Sequence, residues 1–180
     1  MAQTATQHVF DVSLSDLDRG VYEELPVKVA RHPSESDAFM VTRVLAFALQ
    51  FEEGLTFSQG LFATDEPAMW VRDLTGQLRA WIEVGTPDGP RLHKASKACD
   101  RVVVYCHKDV DIYLRGLAGQ RVHAPERVSV IAFDRRFVDA LVAKVARRNT
   151  MAISVTEGEV YVDLGGEAFT TTPTRHSLPG

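Results

Sequence analysis

Two β-like segments joined by a short turn sequence constrain the fold of this chain more than any other feature. Met69–Arg72 and Leu78–Val84 are rich in apolar and aromatic residues, and the turn sequence DLTGQ lies between them at 73–77. Gly76 suits the left-handed position of a three-residue hairpin loop. The pattern therefore predicts a β-hairpin, with the acidic residue Glu83 near the end of its second strand.

The segments on either side of this hairpin alternate between helical and β-like patterns. Capping residues precede apolar residues at helical spacing, which predicts a helix at 34–50. A β-like run follows at 55–62, and beyond the hairpin come a basic helix at 91–100 and an apolar strand at 101–107. The order from 34 to 107 is helix, three strands, helix, strand, which predicts an α/β fold with a mixed (α+β) sheet flanked by helices.

The two ends of the chain add further elements to this pattern. Runs at 9–14 and 25–29 predict an N-terminal β-ribbon around a polar centre. Downstream we predict a helix at 109–118, a strand at 127–133, a helix at 135–147 and a hairpin of strands at 151–156 and 159–164. The Thr- and Pro-rich tail at 168–180 is expected to be loose.

Length and composition fit one domain spanning 1–180. The chain has 180 residues, of which 45% are hydrophobic and 24% charged, so it can bury a full core. Its 20 Lys and Arg residues against 24 Asp and Glu residues give a formal net charge of -4. No whole-molecule field would gather a polyanion, so any nucleic-acid binding must be local.

No sequence feature indicates export or membrane association. Residues 1–10 lack the basic flank and apolar centre of a signal peptide, and no stretch has the apolar length of a membrane span. We therefore expect a cytoplasmic protein with no membrane contact. Cys99 and Cys106 are the only cysteines, and we predict that both are buried free thiols.

Three short motifs, in this order, resemble those of the YaeQ family. They are ARHPSE at 30–35, DEP at 65–67 followed by Trp70, and WIEVGTPDG at 81–89 followed by HKA at 93–95. The resemblance covers nearly the whole chain. YaeQ proteins are similar in fold to the PD-(D/E)XK nucleases, so it implies a restriction endonuclease-like αβββαβ core at about 34–107, with the N-terminal ribbon and C-terminal strands as additions.

The resemblance also implies a magnesium-dependent site that hydrolyses phosphodiester bonds in nucleic acid. In the PD-(D/E)XK superfamily, one acidic residue and the acid of an E-x-K motif hold the metal, while the lysine assists the attacking water. Here the third strand offers Glu83-Val84-Gly85, so a glycine stands where the lysine is expected. Lys94, within HKA on the following helix, is the candidate replacement, and Lys97 lies one turn further along.

Strand register selects the acidic partner of Glu83. If 74–76 form the loop, Pro67 lies opposite Glu83, and Asp65 shares a face with Glu83. A two-residue loop would shift the register by one and select Glu66 instead, because strand side chains alternate. Both acids are therefore candidates, and we prefer Asp65.

Magnesium, or manganese in its place, prefers carboxylate oxygens completed by water and substrate phosphate. The candidate metal ligands are Asp65, Glu83 and, on the first helix, Glu35. A bound ion would lower the pKa of its water, and a neighbouring lysine would orient that water. The candidate catalytic residues are thus Asp65, Glu66, Glu83 and Lys94.

Phosphate contacts are expected from local basic residues. The candidate substrate-binding residues are Arg31 and Ser34, at the start of the first helix, and Lys97 on the second. Arg91 and Arg101 extend the basic patch around Lys97. A charge run on a helix is more often a solvated face, and Arg31 and Ser34 also suit a helix cap.

Two other functions fit the same sequence. Gly85 and the acidic net charge are compatible with a catalytically inactive, nuclease-fold module that binds or regulates an unknown partner. An exposed edge of the ribbon or of the C-terminal hairpin would instead suit a protein-interaction domain that accepts a partner strand.

Overall fold

The computed structural model describes residues 4–59 and 65–179. The elements of this part, in chain order, are β1 (Thr6–Asp16), β2 (Val21–Arg31), α1 (Asp37–Leu49), β3 (Leu55–Phe57), β4 (Met69–Arg72), β5 (Leu78–Val84), α2 (Gly89–Ala98), β6 (Val102–Cys106), α3 (Val110–Leu117), β7 (Val128–Ala132), α4 (Arg135–Val142), β8 (Arg148–Thr156), β9 (Glu159–Leu164), β10 (Glu167–Thr171) and β11 (Thr174–Ser177). The fold is α+β, and its strands form two mixed sheets.

The chain divides into two compact units. The first comprises Met1–Leu49 and Phe133–Pro173, and the second comprises Gln50–Ala132 and Thr174–Gly180. The order α1, β3, β4, β5, α2, β6 is the one predicted for 34–107, but α1 lies in the first unit and the other five elements lie in the second. The single domain over 1–180 stays a prediction.

The first unit contains a five-stranded sheet in the order β10-β9-β8-β1-β2. β1 pairs antiparallel with β2 and parallel with β8. Alternate residues of β1 are buried, so Phe10, Val12 and Leu14 point from one face of the sheet into the core. α1 packs against β1, β2 and α4. The predicted ribbon is confirmed, and it forms one edge of a larger sheet.

The second unit contains a six-stranded sheet in the order β11-β7-β6-β5-β4-β3. β5, β6 and β7 are parallel, and the other pairings are antiparallel. β6 is buried along its whole length, as is typical of a central parallel strand. Leu92 of α2 and Tyr113 and Leu117 of α3 pack in one apolar cluster with Val104 of β6. Both helices therefore cover the same sheet.

The β4–β5 hairpin has the predicted strand bounds and loop. The Asp73 N–H donates to the Gln77 carbonyl at 3.0 Å, and Gly76 has a φ of +83°. This left-handed conformation favours glycine, because it has no Cβ. Trp70 pairs directly with Trp81 across the hairpin, so the two side chains lie on the same face of the sheet.

The predicted register at the far end of this hairpin is wrong by one residue. A β-bulge leaves Arg79 as an extra residue in β5, so Met69 pairs with Ile82. Pro67 consequently does not lie opposite Glu83. Since β4 begins only at Met69, strand alternation does not decide between the two acidic residues that precede it.

Three predicted boundaries are also corrected. The tail at 168–180 is not loose, because β10 pairs with β9 and β11 pairs with β7. α4 ends at Val142 rather than 147, since the chain turns there towards β8. β3 ends at Phe57, and the predicted strand residues 60–62 lie outside the described residues.

The edge strand β2 is poorly suited to accept a partner strand. Pro26 has no backbone N–H to donate, and the charged residues Glu23, Glu24 and Lys28 are exposed along the same strand. These features disfavour strand addition at this edge.

Two further predictions concern the cysteines and the membrane. Cys99 and Cys106 are both free and buried, as predicted. Within residues 4–59 and 65–179, no helix has the length and apolar character needed to cross a membrane.

Candidate functional site

Glu83 is the next-to-last residue of β5, and its side chain is 5% exposed. Its Oε1 atom accepts a hydrogen bond from Trp81 Nε1 at 2.7 Å and another from Arg91 Nε at 2.7 Å. Trp81 and Glu83 are two residues apart on one strand, so they lie on the same face. Among the described residues, Oε2 of Glu83 accepts no hydrogen bond, so one carboxylate oxygen is left for a ligand.

Arg91 connects three parts of the second unit. Its backbone N–H donates to Oδ1 of Asp88, the residue that caps the N-terminus of α2, at 2.9 Å. Its guanidinium donates to Glu83 and, through Nη2, to the Glu66 carbonyl at 2.5 Å. One side chain thus joins the first turn of α2, the end of β5 and the segment before β4.

Opposing influences act on the ionisation of Glu83. Burial raises the pKa of Glu83, because a charged carboxylate loses its hydration there. The charge and hydrogen bond of Arg91 and the hydrogen bond of Trp81 lower the pKa, but burial has the larger effect. Buried carboxylates with displaced pKa values occur at functional sites and also in structural ion pairs.

The structure brings Asp65 to Lys94. The Lys94 Nζ atom lies 3.1 Å from Asp65 Oδ1, and the two side chains are 54% and 90% exposed. The Glu66 carboxylate instead accepts a hydrogen bond from the Gln59 backbone N–H at 3.1 Å. Asp65, the preferred candidate, is therefore the acid whose side chain meets the lysine, while Glu66 contributes its carbonyl to Arg91.

The glycine two residues after Glu83 lies at a position whose backbone conformation favours glycine. Gly85 has a φ of +95°, and its N–H donates to the Tyr105 carbonyl at 2.9 Å. A lysine would be strained in this left-handed conformation. The backbone that turns out of β5 thus disfavours a lysine at this position, whereas α2, the next helix in the chain, carries Arg91 and Lys94.

Glu35, the predicted third metal ligand, has a cationic partner in the first unit. Its Oε2 atom lies 3.1 Å from Arg43 Nη2, and both side chains are less than a tenth exposed. Arg43 also donates to the Ala30 carbonyl at 3.0 Å. Burial lowers the pKa of Arg43, and the charge of Glu35 opposes that shift. These contacts give Glu35 a structural role in holding α1 against β2.

Arg31 and Ser34, the predicted phosphate contacts, lie in the same turn. Arg31 Nη1 donates to the Glu35 carbonyl at 2.9 Å, and the Ser34 hydroxyl lies 2.8 Å from His32 Nδ1. The side-chain cap of α1 is Ser36, whose hydroxyl accepts a backbone N–H of the first turn at 3.0 Å. Phosphate binding by Arg31 and Ser34 stays a prediction.

Arg91 is the residue whose role differs most from the sequence-based expectation. It belonged to a predicted phosphate-facing patch with Lys97 and Arg101, but it pairs with Glu83, and Arg101 pairs with Glu52. The position of Arg91 in the sequence indicated its pairing with Glu83. A cation in the first turn of a helix that directly follows a strand can reach back to that strand.

Residues 4–59 and 65–179 contain no group of three or more His, Cys, Asp or Glu side chains arranged to hold a metal ion. Asp65 and Glu83 are therefore the candidate pair of ligands, and each is held by a cation of α2. Magnesium commonly uses only one or two protein carboxylates, with water and substrate phosphate as its other ligands. Both candidates are carboxylates, so the chemistry of the two donors suits that pattern.

A groove with a cavity volume of about 460 Å³ lies beyond the carboxyl ends of β5 and β6. Thr86 and Asp88 line it after β5, Lys108 lines it after β6, and α3 forms one side. The Tyr113 hydroxyl donates to the Pro87 carbonyl at 2.7 Å and ties α3 to the loop after β5. Crevices at the carboxyl ends of parallel strands commonly bind ligands.

Two curated relatives share part of this sequence. The "Uncharacterized protein YaeQ" of Escherichia coli (strain K12) is 37% identical over 107 residues, which cover 59% of this chain and 59% of that protein. The protein of the same description from Salmonella typhi has the same identity and coverage. The matched part of the chain thus spans less than two thirds of the length of these relatives.

Two crystal structures resemble the whole fold. The YaeQ protein from Xanthomonas axonopodis pv. citri has a TM-score of 0.87 and 34% identity, and the match covers 98% of this chain and 100% of that one. The YaeQ protein from Pseudomonas syringae has a TM-score of 0.86 and 31% identity, with 99% and 98% covered. The family model described as "YaeQ protein" matches residues 1–173. The chain therefore belongs to the YaeQ family.

Proposed function

We propose that the protein is a magnesium-dependent, nuclease-like enzyme that hydrolyses phosphodiester bonds in nucleic acid. One observation carries the proposal: the carboxylates of Asp65 and Glu83 are each held by a cation of α2, Lys94 and Arg91 respectively. Two acids thus pair with two cations that lie in the first two turns of one helix. A restriction endonuclease-like arrangement, with its lysine displaced to the helix after the third strand, is part of the proposal.

Asp65 and Glu83 would hold the ion. Magnesium, when bound, lowers the pKa of a coordinated water and neutralises charge that builds on the phosphate. Lys94 positions that water or stabilises the leaving oxygen. Arg91 orients the Glu83 carboxylate, and its planar guanidinium also suits a phosphate oxygen.

A cleavage assay tests this function. Purified protein is incubated with labelled single- and double-stranded DNA and RNA, with magnesium or manganese, and with a chelator as the blank. We expect cleavage that depends on the ion and is lost in Glu83→Gln. Glutamine keeps an acceptor for Trp81 and so tests the charge rather than the packing. Glu53→Gln, which removes an exposed acid, is the matched control and is expected to cleave normally.

The controls decide how a negative result is understood. Circular dichroism and thermal melting first establish that each variant is folded. A folded wild-type protein that cleaves none of the substrates with either ion would overturn the proposed hydrolysis. Cleavage that survives in Glu83→Gln would overturn the assigned site.

A second candidate function is a catalytically inactive module that keeps the fold and binds or regulates a partner. The observation that favours it is that Arg91 and Trp81 already donate hydrogen bonds to the Glu83 carboxylate. Gly85 also occupies the position where a lysine is expected. Calorimetry separates the two functions. Absence of magnesium and manganese binding at millimolar concentrations, in a folded protein, would favour the module over the enzyme.

A further inference from the structure

Four nitrogen-bearing side chains lie close together at α2. They are separate from the ion pairs that hold Glu83 and Asp65. His93 and Lys97 lie one turn apart on α2, and Arg121 and His123 follow α3. The His93 and His123 rings meet edge to face, with centroids 6.2 Å apart and planes at 77°. We call these four residues the cationic cluster.

The cationic cluster differs from the other cations of this region because none of its members has a carboxylate partner among the described residues. Arg91, Lys94 and Arg101 each pair with an acid. Lys97 and Arg121 are exposed, and neither forms an ion pair with any acid of residues 4–59 and 65–179. Positive charge therefore accumulates here without internal compensation.

The environment of His93 reflects this accumulation. Its Nδ1 atom is buried and makes no hydrogen bond within the described part of the chain. The pKa of His93 is lowered by loss of hydration and by the positive charges of Lys97, Arg121 and His123. No carboxylate offsets these effects. An anion placed beside Lys97 and Arg121 would offset their positive charge.

We propose that the cationic cluster binds the backbone phosphates of nucleic acid. Neutralising several cations with a phosphodiester backbone releases counterions, which makes local basic clusters effective even on an acidic protein. The chain has a net charge of -4, so the attraction must come from such a cluster. This binding goes beyond the proposed hydrolysis and needs neither Asp65 nor Glu83.

Nucleic acid is favoured over a lipid surface by the absence of apolar anchors. Membrane-surface segments pair basic residues with exposed apolar ones. The large exposed apolar residues of the described part are Leu17, Tyr22, Leu74, Ile112 and Tyr161, and none lies on α2 or in 118–124. Lys94 lies between His93 and Lys97 in sequence, so α2 carries both the cationic cluster and the lysine of the candidate site.

Fluorescence anisotropy tests the cationic cluster with a labelled, mixed-sequence single-stranded DNA oligonucleotide in chelator, so that hydrolysis does not contribute. The test variant is Lys97→Gln/Arg121→Gln. The matched control is Arg115→Gln/Arg175→Gln, which removes the same charge from exposed positions of the second unit outside the cationic cluster. We expect the test variant to bind about tenfold more weakly. Its plot of log affinity against log salt should be shallower by about 1.4, the value for two lost phosphate contacts on a single strand.

Three outcomes would overturn the proposal. The first is wild-type protein that does not bind the oligonucleotide at low salt. The second is an equal loss of affinity in both double variants, which would indicate an effect of net charge alone. The third is binding to vesicles rich in phosphatidylglycerol without binding to the oligonucleotide. Because the assay excludes metal, a protein that binds but never cleaves would support the cationic cluster while contradicting the proposed hydrolysis.

Discussion

The Nε atom of Arg91 lies 2.7 Å from the Oε1 atom of Glu83, and the two side chains are 33% and 5% exposed. The pair is thus asymmetric, because the cation reaches solvent and the carboxylate does not. Arg91 also donates to the Glu66 carbonyl, so it anchors the segment that carries the second candidate acid. The same arginine therefore contributes to stability and to the geometry of the candidate site.

Arg91→Ala is expected to destabilise the protein by about 3 kcal/mol, because it leaves the Glu83 carboxylate buried without its cation. Lys94→Ala removes a cation from an exposed pair and is expected to cost less than about 1 kcal/mol. Urea unfolding of both variants measures the difference. Equal losses would show that Arg91 does not compensate a buried charge.

The raised pKa of Glu83 predicts a dependence of stability on pH. In the unfolded chain, Glu83 releases its proton at the ordinary pKa of 4.5. In the folded protein its pKa is higher, so the proton stays bound to a higher pH. The contribution of protonated Glu83 to the free energy of unfolding is therefore fully present below pH 4.5. It is lost as the pH rises through the raised pKa of Glu83 in the folded protein. Glu83→Gln has no such proton, so the stability of wild type relative to this variant should fall across the interval.

Urea unfolding at a series of pH values from 4 upward measures this effect. Glu53→Gln, measured in parallel, controls for removal of one acid from the exposed surface. A constant difference in the free energy of unfolding between wild type and Glu83→Gln at all pH values would contradict the expected shift.

The charge of Lys97 is expected to act on the titration of His93. Loss of hydration is the largest cause that lowers the pKa of His93 from its ordinary 6.5, and the charge of Lys97 adds to it, so Lys97→Gln should raise this pKa. Histidine NMR titration of wild type and variant measures the change, and Lys108→Gln serves as the control. The expected influence of the Lys97 charge on His93 would be contradicted if Lys97→Gln left the His93 titration unchanged.

The Glu35–Arg43 pair is expected to be structural. Glu35→Ala leaves Arg43 buried without its partner and should cost about 3 to 5 kcal/mol in the free energy of unfolding. Arg43→Met in the same chain replaces the stranded cation with an apolar side chain and should restore most of the loss. Chemical denaturation compares the single and double variants. A double variant as unstable as the single one would show that the stranded charge is not the cause.

Local sequence was informative wherever neighbouring residues control the conformation. The hairpin of β4 and β5 was predicted with its strand bounds and loop, because the turn needs a glycine with positive φ at 76 and hydrogen bonds within 73–77. Asp65, the acid preferred from the sequence, contacts Lys94, and its role as a metal ligand stays a prediction. The reason first given for that preference was wrong, because the bulge at Arg79 shifts the register.

Partners distant in sequence were not predictable in this way. β11 forms because it pairs with β7, some forty residues earlier in the chain, although its own sequence suggested a loose tail. Arg121 and His123 lie beside His93 and Lys97 only because α2 and α3 cover the same sheet. The pairing of Arg91 with Glu83 likewise depends on where α2 starts relative to the end of β5.

The sequence by itself determined the family resemblance, the element order from 34 to 107 and the types of side chain available for chemistry. Those properties depend on composition, periodicity and turn residues that act over a few positions. Only the tertiary structure decided that Arg91 pairs with Glu83 and Arg43 with Glu35, while Lys97 pairs with no carboxylate in the part of the chain that the structure describes. Ion pairing depends on distance in space and on burial, and packing between elements sets both.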